Sequence, residues 1–152
     1  FAGVWLDLWT KKAVFNWLSE GFGYTVIEGW LSIVRLENPG AAFGFAAGKT
    51  SMLIFVSVFA LVAVLAVFFI SGRDRLITHI GFAMFAAGIC GNLYDRLFNG
   101  GMVRDFIDVY RGEMHWPAFN VADSMLCAAV GLLLLSTLLS ELPGLKRDQR
   151  QK

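Results

Sequence analysis

The chain reads as an all-α integral membrane protein of four transmembrane helices, with a small extracytoplasmic sheet between helices 1 and 2. Three observations predict this class. Of its 152 residues, 57% are hydrophobic and 16% charged, where soluble domains carry about 25% charge. Its mean hydropathy is +0.60. Three apolar stretches each reach the roughly 20 residues a helix needs to cross a hydrocarbon core.

The elements follow in order. Phe1 to Leu18 is apolar but broken by Asp7, Lys11 and Lys12, and it begins without methionine. It reads as the outer part of a first span whose start is missing or short, since an acid inside the apolar part argues against a cleaved signal peptide. In residues 19–49, Thr25-Val26-Ile27 and Leu31-Ser32-Ile33-Val34-Arg35-Leu36 are β-branched and alternating, with Gly29 between them. They read as short strands. Met52 to Ser71 is an uncharged second span, and Leu76 to Phe98 a third that turns polar at Asn92, Asp95 and Arg96. Residues 99–117 hold Phe106-Ile107-Asp108-Val109-Tyr110 and Trp116, aromatics suited to a membrane interface. Val121 to Leu142 is the fourth span, apolar after Asp123. Residues 1–152 form one polytopic domain with no internal repeat.

Charge sets the orientation. Arg73 and Arg75 lie in the short 72–75 loop, and Lys146, Arg147, Arg150 and Lys152 in the tail, while residues 19–49 and 99–117 lean acidic. Positive loops stay inside, so both termini are expected in the cytoplasm and both long connections outside. The net charge of +1 and the lack of a basic cluster interleaved with aromatics offer no surface for nucleic acid. Cys90 and Cys127 lie within spans as small hydrophobes, and His79 and His115 have no ligand-like spacing. No metal or cofactor is expected.

The chemistry lies in acids at the edges of apolar spans, where charge is costly. Asp105 and Asp123 are 18 residues apart, and the topology brings both to the outer face. A close pair of carboxylates can activate water. Asn120, three residues before Asp123, can cap the fourth helix while facing the same site. Asn92, Asp95 and Arg96 share one helix face and form a polar wall, so Arg96 is expected to matter more than Arg104. Gly88 and Gly91 permit close approach of another backbone. Asp7 and Lys11 are four apart on one helix face and brace the site, and Asn38 opens a turn where its amide can hold an extended peptide. For each acid alone the plain alternatives are a local ion pair, a first-turn helix charge or a solvated loop acid.

Five blocks in order then carry a resemblance. They are Asp7-Leu8-Trp9-Thr10-Lys11, Asn38-Pro39-Gly40-Ala41-Ala42-Phe43, Gly91-Asn92-Leu93-Tyr94-Asp95-Arg96, Val103-Arg104-Asp105-Phe106 and Phe119-Asn120-Val121-Ala122-Asp123. Together they resemble lipoprotein signal peptidase (signal peptidase II), a family of bacterial intramembrane aspartic proteases. Leu8 stands where the family usually has Gln, and Pro39 occupies a variable position.

The resemblance implies four transmembrane helices with a β-cradle, in the bacterial inner membrane. It implies cleavage of prolipoproteins before a diacylglyceryl-modified cysteine, no metal, and inhibition by globomycin-type cyclic peptides. By motif, Asp105 and Asp123 match the catalytic dyad, and Asp7, Lys11, Asn38, Asn92, Arg96 and Asn120 match supporting residues. Membrane lipids and the lipidated precursor are the expected partners, and a monomer suffices. Two close carboxylates share a proton, and which one starts as the base stays open. A proton pathway would instead place acids near mid-membrane on several spans, and a scaffold would use polar clusters only to fix helix register.

Overall fold

The computed structural model describes residues 1–40, 46–71 and 76–141. The 72–75 loop, the basic tail after Glu141 and the stretch Ala41–Phe43 lie outside the described residues.

Four helices alternate with two β segments: α1 (Ala2–Trp17), β1 (Gly23–Ile27), β2 (Leu31–Asn38), α2 (Thr50–Ile70), α3 (Leu76–Phe98), β3 (Val103–Arg111), β4 (Met114–His115) and α4 (Val121–Glu141). Among the described residues, three helical stretches are long and apolar enough to cross a membrane: Thr50–Ile70, Leu76–Phe98 and Val121–Ser140. The 16-residue α1 is about 24 Å long, short of a ~30 Å hydrocarbon core. Along α2 only Leu53 is buried, while Phe55, Phe59, Phe69 and Ile70 are bare. Such a surface is stable against lipid and not against water.

α3 is the hub, packing on α1, α2 and α4. Small residues make this possible. A Cβ on Gly88 would stand 2.6 Å from the Ala122 carbonyl oxygen of α4. A Cβ on Gly91 would collide with the Asp7 carboxylate. The expected close approaches are therefore real, one to a backbone and one to a side chain.

The sheet is larger than the expected pair of strands between the first two spans. Its order is β1-β2-β3-β4, every pairing antiparallel. Half of it comes from the second long connection, so the all-α description understates the fold. The reason is pairing: β3 alone offers alternating inward residues, Val103 and Asp105, and finds its partner about 70 residues earlier, with Leu36 opposite Asp105 and Asn38 opposite Val103. A bulge in β2 between Ile33 and Leu36 bends the strand. Arg35 lies in that bulge and donates from Nη1 to the Phe15 and Leu18 carbonyls at 3.2 and 3.1 Å. A cation there satisfies carbonyls left open at a helix C-terminus and ties the sheet to α1. On the far side of β3, Ile107 pairs with Phe119, leading the chain straight into α4.

Candidate active site

By connectivity the sheet lies where α1 and α3 end and α2 and α4 begin, and the polar residues gather there. Asp7, Lys11, Asp95 and Asn120 are fully buried, and Asn92 and Asp105 nearly so.

α4 begins with a reciprocal cap. The Asp123 backbone N–H donates to Asn120 Oδ1 at 3.0 Å, and the Asn120 N–H donates to Asp123 Oδ2 at 3.1 Å. This is the capping-box arrangement with asparagine and aspartate. It fixes the Asn120 amide, whose Nδ2 then donates to Asp105 Oδ1 at 2.7 Å and to Asn92 Oδ1 at 3.1 Å. Asn92 Nδ2 in turn donates to Asp123 Oδ1 at 2.8 Å. The two carboxylates are thus joined through two amides from different helices. Asn38 completes the set: its Oδ1 accepts the Gly40 N–H at 2.9 Å, which turns its Nδ2 onto Asp105 Oδ2 at 2.9 Å.

Behind this set lies a buried ionic quartet. Lys11 Nζ is 2.7 Å from Asp7 Oδ2 and 3.2 Å from Asp95 Oδ2, and donates to Asn92 Oδ1 at 3.0 Å. The contact with Asp7 is an ion pair across one turn of α1. Asp7 Oδ1 accepts the Ala122 N–H at 2.8 Å, in the first turn of α4, where negative charge is favoured. Asp95 also holds Arg104, whose Nη2 approaches Oδ1 to 2.5 Å.

Asp105 and Asp123 line one cavity of about 510 Å³. Its polar wall includes Asn38, Asn92 and Arg96, and its apolar wall Val103, Trp116, Phe119 and Leu126. Arg96 Nη2 donates to the Gly40 carbonyl at 3.0 Å, joining α3 to the turn after β2. Burial pushes the Asp105 carboxyl from 3.8 up to about 6; the Asn38 amide opposes this and neighbouring Asp123 adds to it. That places its proton exchange near neutral pH, where a catalytic acid or base is useful.

Every residue singled out in the sequence reaches this end: Asp7, Lys11, Asn38, Asn92, Arg96, Asp105, Asn120 and Asp123. One plain alternative falls and one expectation changes. Asp105 is no solvated loop acid, since β3 carries it into the interior at 3% exposure. Asp95 leaves the expected polar wall: Asn92 and Arg96 line the cavity, while Asp95 turns to Lys11 and Arg104. Asp95 and Arg104 were missed as a pair. Their only signal was that an acid on a site-facing helix and a base in the following segment stand nine residues apart.

Apolar helices that hold two amide-linked acids on one cavity fit a membrane enzyme, and comparison makes the class specific. Residues 1–139 match the family model for signal peptidase II (SPase II). The lipoprotein signal peptidase of Syntrophus aciditrophicus is 43% identical over 137 residues, covering 86% of this chain and 82% of that protein. The lipoprotein signal peptidase of Geobacter sulfurreducens is 41% identical over 140 residues, covering 90% and 86%. A bacterial membrane enzyme solved by the in meso method at 2.3 Å superposes with a TM-score of 0.83 at 30% identity, covering 90% of this chain and 82% of that one. The chain belongs to the signal peptidase II family, aspartic peptidases of bacterial membranes that remove signal peptides from prolipoproteins.

Proposed function

We propose that Asp105 and Asp123 are the catalytic dyad, and that the chain cleaves diacylglyceryl-modified prolipoproteins just before the lipidated cysteine. The observation that carries this is the link through Asn120 and Asn92, which holds both carboxylates on one cavity. With burial raising its proton affinity, Asp105 holds the shared proton. Asp123, at the N-terminus of α4, starts as the anion and general base. It takes a proton from a water placed between the carboxyl groups, and the hydroxide formed attacks the scissile carbonyl carbon. Asp105 gives its proton to the carbonyl oxygen. In the second half the roles reverse and the leaving amine is protonated. Such acid–base help contributes about 10²–10⁴-fold, and positioning of the substrate strand supplies the rest.

The same reading has α1 as the outer part of a first of four spans in the bacterial inner membrane, with both termini cytoplasmic and the sheet a cradle at the extracytoplasmic face. The diacylglyceryl chains stay in lipid while the peptide reaches the cavity, so tethering raises the local concentration of substrate. Asp7, Lys11, Asn38, Asn92, Arg96 and Asn120 support the dyad. The enzyme works as a monomer, without metal, and globomycin-type cyclic peptides compete for the cavity.

The test is cleavage of a purified diacylglyceryl-modified precursor by Asp105→Asn and Asp123→Asn, with and without globomycin. Both variants fold and neither cleaves; normal processing by either removes the dyad from the mechanism.

A further inference from the structure

We infer that Arg104 is a positioning residue for the dyad, holding β3 against α3 and leaving Lys11 free to orient Asn92; the inference rests on the dyad reading above. Arg104 grips Asp95 at three points. Its backbone N–H donates to Oδ2 at 3.0 Å, and Nε and Nη2 reach Oδ1 at 3.1 and 2.5 Å. The next residue along the strand is Asp105. Successive strand residues point to opposite faces, so a clamp on the Arg104 face fixes where Asp105 points on the other.

The charges make the clamp more than a hinge pin. Asp7 and Asp95 are fully buried with Lys11, and Arg104 is the second cation of the set. Two acids balance two bases. Without the guanidinium, Lys11 alone faces two carboxylates, and Asp95 Oδ2, already 3.2 Å away, competes with Asn92 Oδ1 at 3.0 Å. Asn92 then loses one of the two donors on its amide oxygen, Asn120 Nδ2 at 3.1 Å being the other, which loosens the orientation of its 2.8 Å bond to Asp123. Among the described residues, Lys11 from α1 and Asp123 from α4 act on the charge of Asp105, and Arg96 from α3 faces both dyad acids as well as Asp95. Arg rather than Lys suits the place because a planar fork can meet a carboxylate while its own backbone N–H meets the other oxygen.

The experiment compares Arg104→Gln, Arg104→Lys and the double variant Asp95→Asn/Arg104→Gln with the parent, across the pH profile of precursor cleavage. Gel filtration and circular dichroism follow folding, and Asp105→Asn is the dead control. Arg104→Gln is expected to lose up to about 100-fold in kcat with KM little changed, and its alkaline limb to rise by about half a unit or more. Arg104→Lys returns the limb but only part of the rate. The double variant, with its charges rebalanced, returns the limb while the rate stays low, and it carries the test if Arg104→Gln does not fold. Parent-like kcat in Arg104→Gln or in the double variant overturns the inference. So does an equal loss in the Gln and Lys variants with an unmoved limb, which assigns Arg104 to folding alone. Cleavage by Asp105→Asn would instead sink the dyad reading, a separate outcome.

Discussion

Replacing Asp105 with asparagine tests the electrostatics of the site apart from its catalysis. The carboxyl is 3% exposed, and burial carries it from 3.8 to about 6. A change of about two units is worth about 3 kcal/mol of differential stability. The folded chain binds this proton more tightly than the unfolded chain. The resulting stabilisation is therefore fully present below about pH 4 and is lost as pH rises through about 6. Asparagine carries no such proton. Its amide has one acceptor oxygen, so the donor from Asn38 or Asn120 meets an NH2 group, at a cost of about 1–3 kcal/mol that does not vary with pH. The readout is the stability gap between parent and variant, measured by unfolding in mixed detergent micelles at about pH 3.5 and about pH 7.5. Relative to the variant, the parent loses about 3 kcal/mol across that range. A gap that stays constant, or moves the other way, refutes the claim that burial holds the proton on Asp105.

The remaining expectations are smaller. The alkaline limb of kcat/KM falls near pH 6, where Asp105 loses its proton, and the limb of kcat lies higher because bound substrate strips water from the cavity; a rate rising steadily to about pH 9 argues against Asp105 as the initial acid. Asn120→Asp keeps the oxygen that caps α4 but removes the Nδ2 donor and buries a third carboxylate against the dyad, so cleavage drops at least tenfold and thermal stability falls at neutral pH. Asn120→Ala loses the cap as well, about 1 kcal/mol, but adds no charge, so only the Asp variant regains stability as pH falls and the added carboxyl takes up a proton. Gly91→Ala puts a methyl group into the Asp7 carboxylate, and the shift costs about 1–3 kcal/mol by thermal unfolding; an unchanged midpoint shows that α1 can move aside.

Much of this protein is legible from local pattern. The stretch Met52 to Ser71 has no charge and the length of a span, and α2 occupies Thr50–Ile70; the third span, Leu76 to Phe98, has the same bounds in the fold. β1 and β2 were visible because β-branched residues alternate there. β3 was not assigned to the sheet because its aromatics, Phe106 and Tyr110, also suit a membrane interface, and because its partner lies far back in sequence. Asp7 and Lys11 were expected as a local brace, and they do pair. Their further attachment to Asp95 and to the Ala122 N–H depends on three helices meeting, which no spacing reveals.

By itself the chain determined that it lives in a membrane and that its acids collect at the ends of its spans, because burial of charge is costly enough to leave its mark on composition and position. It also carried, in short ordered blocks, the family to which it belongs. Only the tertiary structure decided which acid is buried, which amides join the pair, and that Arg104 balances Asp95. Those depend on angles and a few ångströms between elements distant in sequence, and proton affinity responds to that surrounding rather than to the residue's neighbours along the chain.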